Sequence, residues 1–335
     1  MTHLKRCLLP LWTWTALLGI AFCDEGESTD GPWISSLVWT QGNEIVGTKS
    51  QGLLLRSGNV VSANPEKVAE LKDLAEADTS LWTIQPLADG TFITTDYKGG
   101  IHHVSKGGAS TIDVDCRWIR ATAVAPSGEL LAGTEDGKLV VISTEDKVET
   151  KRIDAHVAAV FDISFNNAGD QVVTSGGEGA INVFTWPALE KVASLSRGEE
   201  AVWSTRFTAD DKGLVSGGAD RRLQLWDLEK QESICTITRT PDWVTDLEAI
   251  DGTNLFVASC MNGEVVVVDS VAILEVARVQ AAESGIWSIA KSPNGDSIAL
   301  GTRKNGIQLL QLPDWKTAAA KAAAEASKIR PPSPK

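Results

Sequence analysis

The chain has 335 residues, 43% hydrophobic and 22% charged, a composition that supports both a buried core and a solvated surface. Its formal charge at pH 7 is −13. A surface of that sign repels phosphate backbones, which speaks against nonspecific nucleic-acid binding and weakly favours basic or cationic partners.

At the N-terminus, Lys5 and Arg6 precede a 17-residue apolar stretch, Cys7 to Cys23, followed by the polar run 24–31. Residues 1–23 are predicted to be a signal peptide, with the small residues Ala21 and Cys23 at positions −3 and −1 of the cleavage site. Residues 24–32 then form a polar linker. The apolar stretch falls short of the roughly 20 residues a bilayer span needs, and Pro10 interrupts it, so no integral span is expected in the mature chain. An uncleaved anchor and a bacterial lipoprotein acylated at Cys23 are the alternatives; Phe22 opposes the second, since a small residue normally stands there. Each option places the folded part outside the cytoplasm, secreted or periplasmic. Cleavage leaves Cys116, Cys235 and Cys260, too few for a disulfide framework. They are expected to pack as small apolar residues, with one pairing left open.

Along the rest of the chain, apolar residues recur 42 positions apart: Leu139, Ile181, Leu223, Val265 and Ile307. Each opens a short strand-like run after a turn (KLVVIS, AINVFTW, RLQLWDL, EVVVVDS, GIQLLQL), and Leu53 and Ile101 begin two looser copies upstream. Each repeat reads as a strand, a Pro/Asn/Asp/Gly turn, a second strand ending in small residues, a tight turn and the defining strand. KVETKRI (147–153), KVASLS (191–196), SICTITR (233–239) and LEVARVQ (274–280) supply outer fourth strands. A period of about 40–45 residues built from short strands marks propeller blades, here seven over residues 33–313. Glu66–Asp78 reads as an insertion with helical character between blades one and two. After Pro313 the Ala-rich segment 314–335 is expected to be a helical and then disordered tail. Either chain end is left open as the source of the strand that closes blade seven.

The SPNG turn at 292–295, the SGGAD turn at 216–220 and the LQLWD strand ending at Asp227 resemble the WD40 repeat family, here as a secreted member of bacterial type. The resemblance implies an all-β, seven-bladed propeller acting as a protein-interaction scaffold. It also implies a buried blade network of His, Ser/Thr, Asp and Trp. Blade five carries Ser216, Asp220 and Trp226 without the His; blade four carries His156 and Ser175, with Glu178 and Phe184 in place of Asp and Trp. More of the stability is therefore expected from apolar packing.

An aromatic residue stands at or near the start of each first strand: Trp33, Trp82, Trp118, Phe161, Trp203, Trp243 and Trp287. The register is tight at 82, 161, 203 and 287 and slips by one or two residues at 33, 118 and 243. These seven are expected to form a circle. Either they wedge between blades, or they crown the channel entrance at the narrow top face that the resemblance associates with partners, with acidic loops orienting what binds.

No catalytic, cofactor or metal constellation emerges. His102 and His103 are adjacent on a strand and point to opposite faces, so they do not grip one metal. GTEDGK (133–138) has one residue too few between its glycines for a phosphate loop, and Leu139 stands where Ser or Thr would bind magnesium. The function expected is non-enzymatic presentation of a rigid propeller face to a protein or peptide partner. The alternatives are a quinoprotein- or lactonase-like propeller enzyme or cofactor-binding protein with an axial site, and a structural subunit of an envelope complex.

Overall fold

The computed structural model describes residues 31–50, 58–105, 108–312 and 317. The expected signal peptide 1–23, all of the linker but its last two residues, the repeat-opening Leu53 and, apart from Thr317, the tail 314–335 lie outside the described residues. Among the described residues, 27 strands form seven antiparallel sheets, six of four strands and one of three, each with its strands in chain order. This is a seven-bladed all-β propeller. Blade one is 33–77, and the blades that follow begin at Leu81, Ile119, Val160, Val202, Val244 and Ile286.

The core is divided among the seven junctions between blades, one apolar cluster to each. Strand alternation explains how one strand serves two junctions. In Lys138–Ser143, Leu139 and Val141 face blade four, while Val140 and Ile142 face blade two. In Glu264–Asp269, Val265 and Val267 turn to blade seven and Val266 and Val268 to blade five. A third strand is thus buried on both sides, which is why these segments read as nearly continuous apolar runs. Outer strands such as Val148–Asp154 are exposed along most of their length.

The segment 66–78 is not a helical insertion. Pro65–Lys67 forms one 3-10 turn capped by Asn64, whose side-chain oxygen accepts from Glu66 N at 2.8 Å. Lys72–Ala77 is then the fourth strand of blade one, paired with Gly58–Ala63 from Gly58↔Ala77 to Ser62↔Lys72. Helix propensity in LKDLAEA is a local preference of a few tenths of a kcal/mol per residue. The open edge of the preceding strand offers a row of backbone hydrogen bonds that outweighs it.

Blade seven packs directly on blade one. Ile34, Leu37, Ile45, Val61 and Ala63 share a cluster with Ala290, Ala299 and Ile307. Gly306 N donates to Pro32 O at 3.1 Å, and Leu37 N donates to Ser288 Oγ at 3.1 Å. The last of these contacts belongs to a repeating device. The innermost strand of every blade is a sheet edge, so its outward N–H groups need acceptors. Thr205 N donates to Asp162 Oδ2 at 2.7 Å, Leu247 N to Ser204 Oγ at 3.2 Å and Ile289 N to Asp246 Oδ2 at 2.9 Å. Asp162, Ser204, Asp246 and Ser288 therefore staple each blade from four to seven to the innermost strand of the next.

Candidate functional site

The innermost strands all begin at one end of the ring, and a β-bulge stands near the start of each. The bulged residue leaves the ladder and is re-aimed. In blades two, four, five and seven it is the aromatic itself: Trp82, Phe161, Trp203 and Trp287. In blades one, three and six it is Ser35, Arg120 or Thr245, and the aromatic stands two residues earlier. Ser35 Oγ donates to Leu81 O at 2.9 Å and Thr245 Oγ1 to Ile286 O at 2.6 Å, each bridging to the next blade. The slip in sequence register thus marks blades whose bulge holds a polar side chain.

All seven aromatic residues are half-buried, and they join into one cluster. Trp33 meets Trp82 at 6.2 Å and Trp287 at 5.5 Å; Trp82 meets Trp118 at 5.2 Å. Phe161 meets Trp203 at 6.1 Å, and Trp203 meets Trp243 at 5.2 Å. Two pairs skip a blade: Trp287 lies 6.1 Å from Trp82 and 6.3 Å from Trp203. The rings therefore lean across the axis and pack on one another. They are neither wedges confined to single blade junctions nor an open circle. Tyr97, from a turn of blade two, adds a ring 4.4 Å from Trp118. Trp82 Nε1 donates to Arg120 O at 3.1 Å. The buried Nε1 atoms of Trp33, Trp118 and Trp287 have no conventional acceptor, and neighbouring π faces are what the stack offers them. The Arg120 guanidinium lies 3.8 Å from the Trp118 ring centroid and 5.0 Å from that of Phe161. It also pairs with Glu135.

The loops at this end are of mixed sign, not acidic as expected. Glu135, Glu199, Glu200 and Glu283 are exposed there, as are Lys98, Arg117, Arg221 and Arg303. Both signs occur within single blades: Glu199 and Glu200 precede blade five, whose second turn carries Arg221, and Glu283 precedes blade seven, which carries Arg303. Val157, 90% exposed in the loop before blade four, is the most exposed large apolar residue described.

One to five residues beyond the aromatics, on the same strands of blades four to six, lies a charged cluster that sequence reasoning missed. Arg206 Nη1 donates to Asp162 Oδ2 at 2.7 Å and Arg206 Nη2 to Asp246 Oδ1 at 3.5 Å, and Glu248 adds a third carboxylate acting on Arg206. Burial opposes charge on Arg206, but Asp162, Glu248 and Asp246 outweigh it and hold its pKa above the usual range. Burial, with Glu248 and Asp162 nearby, pushes the Asp246 carboxyl up to about 7 against the pull of Arg206. Glu248 is also raised, by burial first.

The blade networks differ from expectation in their members. In blade four, His156 Nδ1 pairs with Glu178 Oε1 at 2.7 Å and His156 Nε2 with Thr174 Oγ1 at 2.8 Å. Ser175 Oγ is buried without a partner, because successive strand residues face opposite sides and Thr174 is the one that faces the ring. In blade five Trp226 Nε1 donates to Ser216 Oγ at 2.8 Å. Arg197 supplies what the absent His would: its Nη1 donates to Ser216 Oγ at 2.9 Å and its Nε to Asp220 Oδ2 at 3.1 Å. Arg197 stands 41 residues after His156, so the period pointed to it.

His102 Nε2 pairs with Asp96 Oδ2 at 2.8 Å and His103 Nε2 with Thr91 Oγ1 at 2.7 Å, on opposite faces. Among the described residues no group of three or more His, Cys, Asp or Glu is placed to hold a metal ion, and no helix is long and apolar enough to cross a membrane. Cys116, Cys235 and Cys260 are free thiols.

Residues 189–227 match the family described as WD domain, G-beta repeat. The match runs from the outer strand of blade four to the third strand of blade five, so the sequence repeat straddles two sheets. A WD repeat-containing protein 3 homolog from Dictyostelium discoideum is 40% identical over 58 residues, 17% of this chain and 6% of that protein. A WD repeat-containing protein 26 homolog from Arabidopsis thaliana is 22% identical over 287 residues, 83% of this chain and 48% of its own length. Nuclear distribution protein nudF from Aspergillus niger is 24% identical over 211 residues, 61% and 46% respectively. The chain spans less than half the length of each of these relatives. The matches support the WD40 repeat family; their eukaryotic sources lend nothing to a bacterial origin.

Proposed function

We propose that this WD40-type propeller is a non-enzymatic scaffold, and that the ring end capped by aromatic residues docks a protein or peptide partner outside the cytoplasm. The observation that carries the reading is the cluster of seven half-exposed rings, contributed one per blade and joined across the axis. Trp faces held by a rigid ring offer large contact area at little cost in side-chain entropy, and Trp is enriched at binding hot spots. The exposed charges of both signs around the rings set the partner's orientation more than its affinity. The WD repeat relatives support the scaffold class, and the basic, apolar and small-residue pattern of residues 5–23 supports the location.

The test is co-purification from the native source, with the partner identified by mass spectrometry. Val157→Asp and the double change Glu199→Lys, Glu200→Lys alter exposed groups at the capped end without touching the core. They are expected to abolish recovery of the partner while leaving the melting temperature unchanged. Val192→Asp and Ile234→Asp, on outer strands, are expected to leave recovery intact. Loss of the partner with the outer-strand changes alone overturns the reading.

A further inference from the structure

We propose that the Asp162–Arg206–Asp246–Glu248 cluster is a proton-binding site in the wall of the propeller axis, holding a proton on Asp246 that strengthens the junction of blades five, six and seven. Three carboxylates from two innermost strands face one guanidinium from the strand between them. That guanidinium is committed to Asp162 at 2.7 Å and reaches Asp246 only at 3.5 Å. The next cation, Lys291 of blade seven, acts on Glu248 and not on Asp246, and its Nζ donates to Ala249 O at 3.0 Å and to Asp251 Oδ1 at 2.6 Å. The strands flanking these residues within their own sheets, Gly213–Gly218 and Leu255–Cys260, bring no carboxylate and no cation. With every group ionised, the four side chains carry a net negative charge in an enclosed place, where like charges repel strongly.

Asp246 is where the excess falls. Its side chain, 18% exposed, bridges three blades: it accepts from Ser204 Oγ of blade five at 3.3 Å, from its neighbour Leu247 N at 2.8 Å and from Ile289 N of blade seven at 2.9 Å. These donors fix its position and favour the ionised form. Burial and the charges of Glu248 and Asp162 oppose it and prevail, leaving the carboxyl titrating near neutrality, at about 7. The folded value lies above the ordinary 3.8, so the bound proton stabilises the fold. That contribution is complete below pH 3.8 and is lost progressively up to about pH 7, as the unfolded chain ionises first.

The test uses the full chain, uniformly labelled with ¹³C and ¹⁵N, with the Asp246 carboxyl assigned by through-bond correlation to its own backbone and followed by NMR through a pH titration. The expected result is an Asp246 midpoint near neutrality that falls by about one unit or more in Glu248→Gln, which removes the repelling neighbour while keeping the site's shape. A midpoint near 4, or one indifferent to Glu248→Gln, overturns the proposal. Because the titration is read on wild type and Glu248→Gln, it does not depend on Asp246→Asn folding well. Where Asp246→Asn folds, the stability difference between wild type and this variant is expected to move against wild type as pH rises from 4 to 7; a difference independent of pH also overturns the proposal.

Discussion

Replacing Trp287 by alanine tests whether the aromatic cap is a single packed body. The ring lies 5.5 Å from Trp33, 6.1 Å from Trp82 and 6.3 Å from Trp203. Aromatic pairs contribute about 0.5–1.5 kcal/mol each beyond their buried area, so three pairs amount to about 2–4 kcal/mol. Truncating a fully buried Trp costs about 3–5 kcal/mol, and a half-exposed ring loses less, which gives a similar magnitude. Trp243 meets Trp203 at 5.2 Å and no other ring among the described residues. Its removal is expected to cost about 0.5–1.5 kcal/mol on the same scale. Urea denaturation of the full chain reads both losses, provided the slope with denaturant stays constant. The predicted order is a larger midpoint shift for Trp287→Ala than for Trp243→Ala. Equal shifts, or the reverse order, would refute a cap joined across the axis and restore seven independent wedges.

Further outcomes follow from the networks. Arg197→Ala leaves the Asp220 carboxylate without its partner at a site where the arginine side chain is 2% exposed; breaking such a pair is expected to cost about 3 kcal/mol, with Arg197→Lys recovering only part because it lacks the fork. Thermal melting of both variants checks the order. Burial pushes the His156 pKa below its ordinary 6.5, so its contribution is present above pH 6.5 and declines as pH falls through the folded value, because the unfolded chain takes the proton first. His156→Gln should flatten that acid limb in a pH series of denaturation midpoints; an unaltered limb would assign it to other groups. Native thiol labelling with peptide mapping should modify half-exposed Cys235 first. Cys260, fully buried with its thiol pushed up to about 12, should react only after unfolding.

The ring of blades was legible in the sequence because a strand buried on both faces cannot vary in character, so Leu139, Ile181, Leu223, Val265 and Ile307 keep their spacing. The strand Lys72–Ala77 was not legible, because its side chains are largely exposed and carry only helix propensity, while its state is set by the edge it completes. The aromatic series could be read as a position in each blade. That the rings meet across the axis depends on the direction a β-bulge gives the side chain, which residue identity does not encode. The staples at 162, 204, 246 and 288 obey the same 42-residue period, yet Asp alternates with Ser, and a pattern search for one residue type passes over them. Arg197 hid for a related reason: the network needs a donor at that place, and a different residue type supplies it.

Hydrogen exchange on the purified complex with its partner tests the scaffold account most directly. Docking on the capped end predicts slowed exchange in the turns and strand starts at 97–100, 157–161, 199–203, 241–243 and 283–287, with the outer strands 148–154, 191–196 and 232–239 unchanged. Protection confined to the outer strands, with the aromatic end exchanging as in the free protein, would contradict it.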